Sequence, residues 1–210
     1  MNRPRTFYGK GIPGVATRDL KGKLVVLEGP DGSGRSTQIA LLTEWLERRG
    51  HAVEHVGLKR STLVANELAT AKEGNVLAPR TPSLFYATDF ADQLEHRILP
   101  ALRAGFIVLA DRYIYTLMAR DMVRGADLPW LQSVYSIALV PDLVMYLRVA
   151  PQKLMERYIY RGRELDYWES GMDIGYSRSW YDSFIRYQSE LHRTFHRLQA
   201  VYGFVTVNGM

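Results

Sequence analysis

The chain has 210 residues, of which 47% are hydrophobic and 23% charged, and a net charge of +5. This composition suffices to bury a core, so a chain that is disordered throughout is excluded. There is no cysteine, which excludes disulfides, thiolate metal sites and a cysteine nucleophile. No apolar run approaches the roughly 18 residues that span a bilayer, so we expect no membrane segment.

Basic residues number 27, and 21 of them are arginine. Such a chain can bind nucleic acid, an anionic surface or small phosphorylated ligands. Residues 1–20 are predicted to form a basic arm, interrupted by five glycine or proline residues, ahead of a domain at 21–210. The arm lacks the continuous apolar stretch of a secretory signal, and we expect it to pack weakly or not at all. A cytoplasmic location is the resulting prediction.

Strand-like and helical patterns alternate from Lys23 onward. Strands are predicted at 24–27, 52–56, 105–110, 142–147 and 204–207. Helices are predicted from the glycine-rich turn to Arg49, at 61–72, from a Thr81 N-cap to Pro100, at 114–124 and 129–139, from Pro151 into the charged stretch, and along an aromatic stripe at 180–198. Strands separated by helices indicate an α/β domain with a parallel sheet covered on both faces.

A glycine-rich turn between the first strand and first helix fits the pattern G-x-x-x-x-G-[K/R]-[S/T]. Its residues are Gly29, Pro30, Asp31, Gly32, Ser33, Gly34, Arg35 and Ser36. Glycines let backbone N–H groups surround an anion, and the helix amino terminus adds partial positive charge. The turn therefore predicts a phosphate site, with Arg35 where lysine is usual and the Ser36 hydroxyl available to Mg²⁺.

Two further charged segments are expected to reach the same site. Asp111 and Arg112 follow the strand 105–110, and ligands of open parallel sheets bind beyond the carboxyl ends of strands. Asp111 is thus a candidate Mg²⁺ ligand, directly or through water, and Arg112 a candidate clamp for an acceptor phosphate. The arginines of 157–173 suit a lid that closes over phosphates, although a solvated charged surface is the ordinary alternative.

Taken together, these segments resemble the thymidylate kinase family of P-loop nucleoside-monophosphate kinases over about residues 23–207. The matching motifs are Asp31-Gly32-Ser33-Gly34 with Ser36-Thr37-Gln38, Phe85-Tyr86-Ala87, Asp111-Arg112-Tyr113, Pro141-Asp142-Leu143, Tyr146-Leu147 and Glu164-Leu165-Asp166. The resemblance implies a P-loop NMP-kinase-like fold with a five-stranded sheet of order 2-3-1-4-5. It also implies phosphoryl transfer from ATP to a nucleoside monophosphate, dTMP above others, with Mg²⁺.

The same resemblance assigns the site residues. ATP contacts are expected at Gly29, Asp31, Gly32, Ser33, Gly34, Arg35, Ser36 and Thr37. Acceptor contacts are expected at Asp31, Tyr86, Phe90, Arg112, Thr116 and Arg120, with Tyr86 stacking on the base. The catalytic arginines are Arg35, Arg112, Arg161 and Arg163, and the metal ligands are Ser36 and Asp111. Phe90 replaces the family's base-reading arginine, and Tyr167 replaces a lid arginine.

Two other functions and one question of assembly stay open. A deoxynucleoside kinase would share a lid like 161–163, but it needs a base near the end of the second strand, where only Glu54 stands. A nucleotide-binding protein without catalysis would account for Arg35 and Phe90. The basic residues are dispersed without a stacking platform, which speaks against a nucleic-acid-binding module. A homodimer is compatible with the sequence.

Overall fold

The structure is a computed structural model that describes residues 5–58, 80–162 and 164–209. The predicted helix at 61–72 lies outside these residues. The strands are β1 (Lys23–Glu28), β2 (Val53–Gly57), β3 (Ile107–Asp111), β4 (Leu143–Arg148) and β5 (Val205–Asn208). The helices are α1 (Arg35–Glu47), α2 (Arg80–Gln93), α3 (Leu99–Arg103), α4 (Ile114–Val123), α5 (Leu128–Val134), α6 (Pro151–Tyr160) and α7 (Trp180–Tyr202).

The five strands form one parallel sheet in the order β2-β3-β1-β4-β5, which confirms the predicted fold class and strand order. β1 is central, and Leu27 pairs in register with Asp111 of β3. The carboxyl ends of these two neighbouring strands therefore lie side by side. This register brings the glycine-rich turn after β1 next to the turn after β3.

Side chains of alternating residues pack on opposite faces of the sheet, as the strand geometry requires. Leu24 and Val26 of β1 belong to the larger core, which includes residues of α2, α4, α5 and α7. Leu27 faces the other way and packs with Ile39 and Leu46 of α1. Helices thus cover both faces, which places α1 and α4 on opposite sides of the edge where the site forms.

Several boundaries differ from the predicted ones. Thr81 lies inside α2 rather than capping it, and one π-helical turn, Leu94–Ile98, joins α2 to α3. α6 ends at Tyr160, before most of the charged stretch. Among the described residues, no helix is both long and apolar enough to cross a membrane.

The described part of the N-terminal segment is packed against the domain, contrary to the weak packing that its composition predicts. Phe7 forms an antiparallel bridge with Leu139, and the Val140 N–H donates to the Thr6 carbonyl oxygen at 2.9 Å. Arg5 donates to Asp142 at 2.5 Å. Backbone pairing and a partly buried ion pair thus hold the segment, and neither can be seen in local composition.

Candidate active site

The phosphate loop, residues 29–34, connects the carboxyl end of β1 to the first turn of α1. Gly34 precedes the helix with a φ of 98°, a left-handed conformation that suits glycine. A Cβ at Gly29 would lie 2.9 Å from the Ser33 Oγ and 3.0 Å from the Leu147 carbonyl oxygen, so the loop has no room for one. The resulting tight turn presents the amino terminus of α1 to the site.

Arg35 lies under this loop, with its side chain only 8% exposed. Its Nη1 donates to the carbonyl oxygens of Gly29 at 2.5 Å and Pro30 at 2.6 Å. Its Nε donates to Asp111 Oδ1 at 2.7 Å. The guanidinium therefore ties the phosphate loop to the end of β3, and its charge is buried directly beneath the predicted phosphate site.

Asp31 is the acidic centre of the site. Its Oδ2 accepts from Arg112, and from Arg120 at 3.1 Å, while its Oδ1 lies 3.6 Å from the Arg35 Nη2. Burial opposes ionisation of Asp31, but the three guanidinium groups outweigh it and hold the pKa of this carboxyl well below its usual range. Asp31 therefore stays charged and gathers three of the predicted site arginines around one carboxylate.

Arg112 occupies the turn between β3 and α4 in a strained backbone conformation. Its φ is 71°, and among the described residues every other positive φ belongs to a glycine. Such conformations cost about 1–3 kcal/mol and persist where surrounding contacts enforce them. The Arg112 N–H donates to the Leu27 carbonyl oxygen at 2.9 Å, and the guanidinium is directed to Asp31. The turn thus directs this arginine toward the phosphate loop.

Glu28, the last residue of β1, is fully buried beside this turn. Its Oε1 accepts from the Tyr113 N–H at 2.9 Å and the Thr116 N–H at 3.3 Å, and its Oε2 accepts from the Thr116 hydroxyl at 2.5 Å. Burial raises the pKa of Glu28 to about 7, against the opposing effects of these donors and of Arg112. The carboxyl therefore titrates near neutral pH.

We expect the stability of the protein to fall as pH rises from about 4.5 to 7. The folded chain holds the Glu28 proton more tightly than the unfolded chain, so unfolding releases a proton in this window. A raised pKa of this size corresponds to about 3 kcal/mol. Urea unfolding at pH 5, 6, 7 and 8 should show the wild type losing stability relative to E28Q. Parallel pH profiles for the two proteins would contradict the ionisation of Glu28 in this window.

Ser36 and Asp111, the predicted metal ligands, line one open cavity of about 430 Å³ at the start of α1. The Ser36 side chain is exposed, and Asp111 also accepts from Arg35. Within residues 5–58, 80–162 and 164–209, no group of three or more His, Cys, Asp or Glu side chains could hold a metal. Mg²⁺ usually keeps several waters and takes one or two protein ligands beside phosphates, so this pair fits a hydrated Mg²⁺.

A second cavity, of about 520 Å³, is lined by residues of α2, α4 and α7 and of the segment before α7. Its walls combine aromatic rings with charged groups: Tyr86, Leu117, Arg120, Asp121, Arg124, Tyr167, Trp168, Glu169 and Tyr187. Arg120 links the cavity to the loop, because its Nη2 lies 3.1 Å from Asp31 and 3.4 Å from Glu169. A cavity with aromatic walls and a cationic end suits a planar base joined to a phosphate.

The other predicted acceptor residues take different places. Tyr86 lines the 520 Å³ cavity, as its predicted role requires. Phe90 is buried in the core, edge-on to Tyr113 and Tyr135, and does not line that cavity. The Thr116 hydroxyl is turned to Glu28. An apolar ring in place of arginine packs into the core because it has no charge to keep solvated.

Arg124 holds the wall of this cavity together. Its Nε and Nη2 bind the two carboxylate oxygens of Asp173 at 2.7 and 3.0 Å. Its Nη1 donates to the Tyr187 hydroxyl at 3.0 Å and its Nη2 to the Trp168 carbonyl oxygen at 2.9 Å. One guanidinium therefore fixes the segment that carries Trp168 against α4 and α7.

Replacement of Arg124 by alanine is expected to destabilise the fold by about 3–5 kcal/mol, because it leaves the largely buried Asp173 carboxylate without its cation. R124K keeps the charge but loses the bidentate geometry, so a smaller loss is expected. Urea unfolding of both variants tests this. A loss below about 1 kcal/mol for R124A would show that the wall is held by other contacts.

The lid arginines are distributed over two environments. Arg157 donates to the carbonyl oxygens of Gly32 at 3.1 Å, Ser33 at 3.3 Å and Gly209 at 2.7 Å. Arg161 is exposed and, with Thr37, lines a cavity of about 920 Å³ beside the phosphate loop. Arg163 lies outside the described residues. The helix α6 thus provides Arg157, which binds the loop backbone, and Arg161, which directly follows the helix, is open to a ligand.

Arg157 belongs to the predicted lid arginines, whereas Glu28 and Arg124 were not predicted as site residues. The spacing of four residues predicted that Arg157 and Arg161 share a helix face, but α6 ends at Tyr160, one residue before Arg161. Glu28 carried a signal in the sequence, since a glutamate ending an apolar strand is buried only where it finds hydrogen-bond donors. Arg124 had no local signal, because its acceptors come from distant segments of the chain.

The parallel sheet, the phosphate loop after β1 and the arginine-rich cleft define the class of P-loop phosphotransferases. A family model described as thymidylate kinase matches residues 27–200. The chain therefore belongs to the thymidylate kinase family. It is 37% identical over 191 residues to a probable thymidylate kinase 2 of Saccharolobus solfataricus, covering 90% of this chain and 89% of that protein.

More distant similarity extends to other organisms. A probable thymidylate kinase of Pyrococcus horikoshii is 35% identical over 151 residues, which cover 68% of this chain and 73% of that protein. A thymidylate kinase of a Thermoanaerobacter species is 35% identical over 146 residues, which cover 66% and 71%. The resemblance inferred from the motifs is thereby confirmed.

Proposed function

We propose that this chain transfers the γ-phosphoryl group of ATP to dTMP, and that it does so in the cytoplasm. The observation that carries the proposal is the sharing of Asp31 by three arginines. Arg35 comes from the first turn of α1, directly after the phosphate loop, Arg112 from the turn after β3, and Arg120 from the wall of the 520 Å³ cavity. This sharing supports an arrangement in which a donor site and an acceptor site meet at one carboxylate. Membership of the thymidylate kinase family supports dTMP as the acceptor.

The chemistry needs positioning and charge neutralisation rather than a strong base. The acceptor phosphate is already an anionic nucleophile, so the protein has to align it with the γ-phosphate and offset the charge. We assign the ATP phosphates to the backbone of Gly32, Ser33 and Gly34, with Thr37 beside them and Arg35 beneath. Arg112 holds the acceptor phosphate, and Arg161 or Arg163 meets the charge that develops in transfer.

Mg²⁺ belongs to the same proposal as the cofactor of Ser36 and Asp111. When bound, it would supply positive charge that offsets the negative charge of the donor phosphates. The exposed Ser36 hydroxyl and the Asp111 carboxylate, which line the same cavity, would hold the ion. The bond from the Arg35 Nε to Asp111 Oδ1 keeps that carboxylate in position.

The acceptor base is assigned to the aromatic cavity. Tyr86 stacks on it, and Arg120 lies between the base and the phosphate loop. A deoxynucleoside kinase is less well supported, because in the described residues 53–58 the only carboxylate that could serve as its base is that of Glu54. Glu54 is on β2 and accepts from Arg97 Nε at 2.8 Å, so it serves an ion pair away from the cleft.

The decisive experiment offers the purified chain ATP and Mg²⁺ with dTMP, dUMP, dCMP, dGMP, AMP and thymidine, each in turn. We expect transfer to dTMP to exceed transfer to every other acceptor, and EDTA to abolish it. Transfer to thymidine with none to dTMP would establish a nucleoside kinase. Binding of ATP without transfer to any acceptor would establish a non-catalytic protein, which the engagement of Arg35 by the loop would then explain.

A further inference from the structure

Glu28 joins the two halves of the site although it touches neither proposed substrate. It is the residue before the phosphate loop, and its side chain is 0% exposed. Both carboxylate oxygens accept hydrogen bonds from Tyr113 and Thr116, which lie on the acceptor side. A single side chain from β1 therefore fixes the turn that follows β3.

The backbone N–H groups that donate to Glu28 lie at the amino terminus of α4. α4 begins at Ile114, and the preceding Tyr113 makes no side-chain cap. The first N–H groups of a helix have no acceptor within the helix and need one from elsewhere. Glu28 supplies that acceptor from a neighbouring strand, and its negative charge complements the helix dipole when it is ionised.

We propose that Glu28 is a positioning residue, which holds the Arg112 turn in the conformation that directs the guanidinium to Asp31 and the acceptor phosphate. Arg112 is fixed on both sides by β1: its own N–H donates to the Leu27 carbonyl, and the next N–H donates to Glu28. Two consecutive bonds of this kind enforce the φ of 71° at Arg112. Without Glu28 the second bond is lost and the turn relaxes.

The test compares E28A, E28Q and L131A with the wild type. E28Q keeps an oxygen for the two N–H groups, and its amide can donate to the Thr116 hydroxyl, so it should restore the turn. L131A removes a fully buried side chain of α5 that lines none of the described cavities, so it controls for loss of stability. Two measurements are made on each variant: steady-state kinetics with dTMP and ATP, and hydrogen exchange of the backbone amides of residues 113–116. The kinetics rest on the proposed function, whereas the hydrogen exchange does not.

We expect E28A to raise KM for dTMP at least tenfold, to change KM for ATP less than twofold, and to speed exchange at 113–116. E28Q should stay within threefold of the wild type, and L131A should change neither KM nor this local exchange. If E28A does not fold, E28D, one methylene shorter, should raise KM for dTMP at least threefold. The proposal is overturned if E28A, or E28D in its place, raises both KM values equally, if E28Q matches E28A, or if L131A shows the same pattern.

A wild type that transfers no phosphoryl group to dTMP would remove the proposed function but leave the exchange arm intact. Faster exchange at 113–116 in E28A, with protection in E28Q and L131A, would still support the positioning role. Unchanged exchange in E28A would overturn it whatever the activity of the wild type. The two failures are therefore distinguishable.

Discussion

Replacement of Arg35 by alanine is expected to abolish phosphoryl transfer and to lower the free energy of unfolding by about 3–5 kcal/mol. The substitution removes a buried cation that serves the carbonyl oxygens of Gly29 and Pro30 and the carboxylate of Asp111 at once. A buried acceptor that loses its donor costs about 1–3 kcal/mol, and more when it is charged. Urea unfolding and steady-state kinetics with ATP and dTMP measure the two effects.

The variant R35K separates charge from shape. A lysine ammonium can donate to the loop carbonyls and keeps a positive charge beneath the phosphates, but it has no second nitrogen to hold Asp111. We therefore expect R35K to retain transfer within about tenfold of the wild type, with a stability loss smaller than that of R35A. A variant R35K as inactive as R35A would show that the site requires the fork of the guanidinium, which binds Asp111 and the loop together.

The fold could be predicted where local pattern and tertiary structure agree. The short apolar runs of β1 and β3 are buried on both faces, and the glycines at 34 and 50 mark the start and the end of α1 through their positive φ. The N-terminal segment was mispredicted because its stability comes from pairing with Leu139 and Asp142, more than 130 residues away. The local composition shows where glycine and proline interrupt regular structure, but it does not show contacts with residues so far away in the chain.

The candidate site, like the fold, could be predicted from the sequence only in part. The spacing of the phosphate loop and the place of Arg112 after a central strand predicted which residues would come together. The sequence could not predict that Arg35 donates to its own loop, or that Phe90 packs into the core, because both depend on what surrounds the side chain. Glu28 was missed for a related reason, since its function lies in the backbone of another segment.

Replacement of Arg112 by alanine is expected to weaken acceptor binding by about 2–4 kcal/mol, roughly 30-fold to 900-fold, and to leave ATP binding within twofold. A charge-assisted bidentate contact to the acceptor phosphate accounts for this size. The fold should survive, because Asp31 keeps Arg120 and Arg35 as partners. Calorimetry with dTMP and with a non-hydrolysable ATP analogue measures the two affinities separately.

The strained backbone at Arg112 calls for a matched pair of variants. R112A keeps a Cβ and therefore the cost of the φ of 71°, whereas R112G removes the same charge and relieves that cost. If the charge decides acceptor binding, R112A and R112G should weaken that binding equally, and R112K should recover part of the affinity. R112G should unfold at a higher urea concentration than R112A. Arg103, exposed on α3, serves as the control, and R103A should change neither affinity. Equal loss of dTMP and ATP binding in R112A would assign Arg112 to both nucleotides, and the separation of donor and acceptor sides at Asp31 would then be wrong.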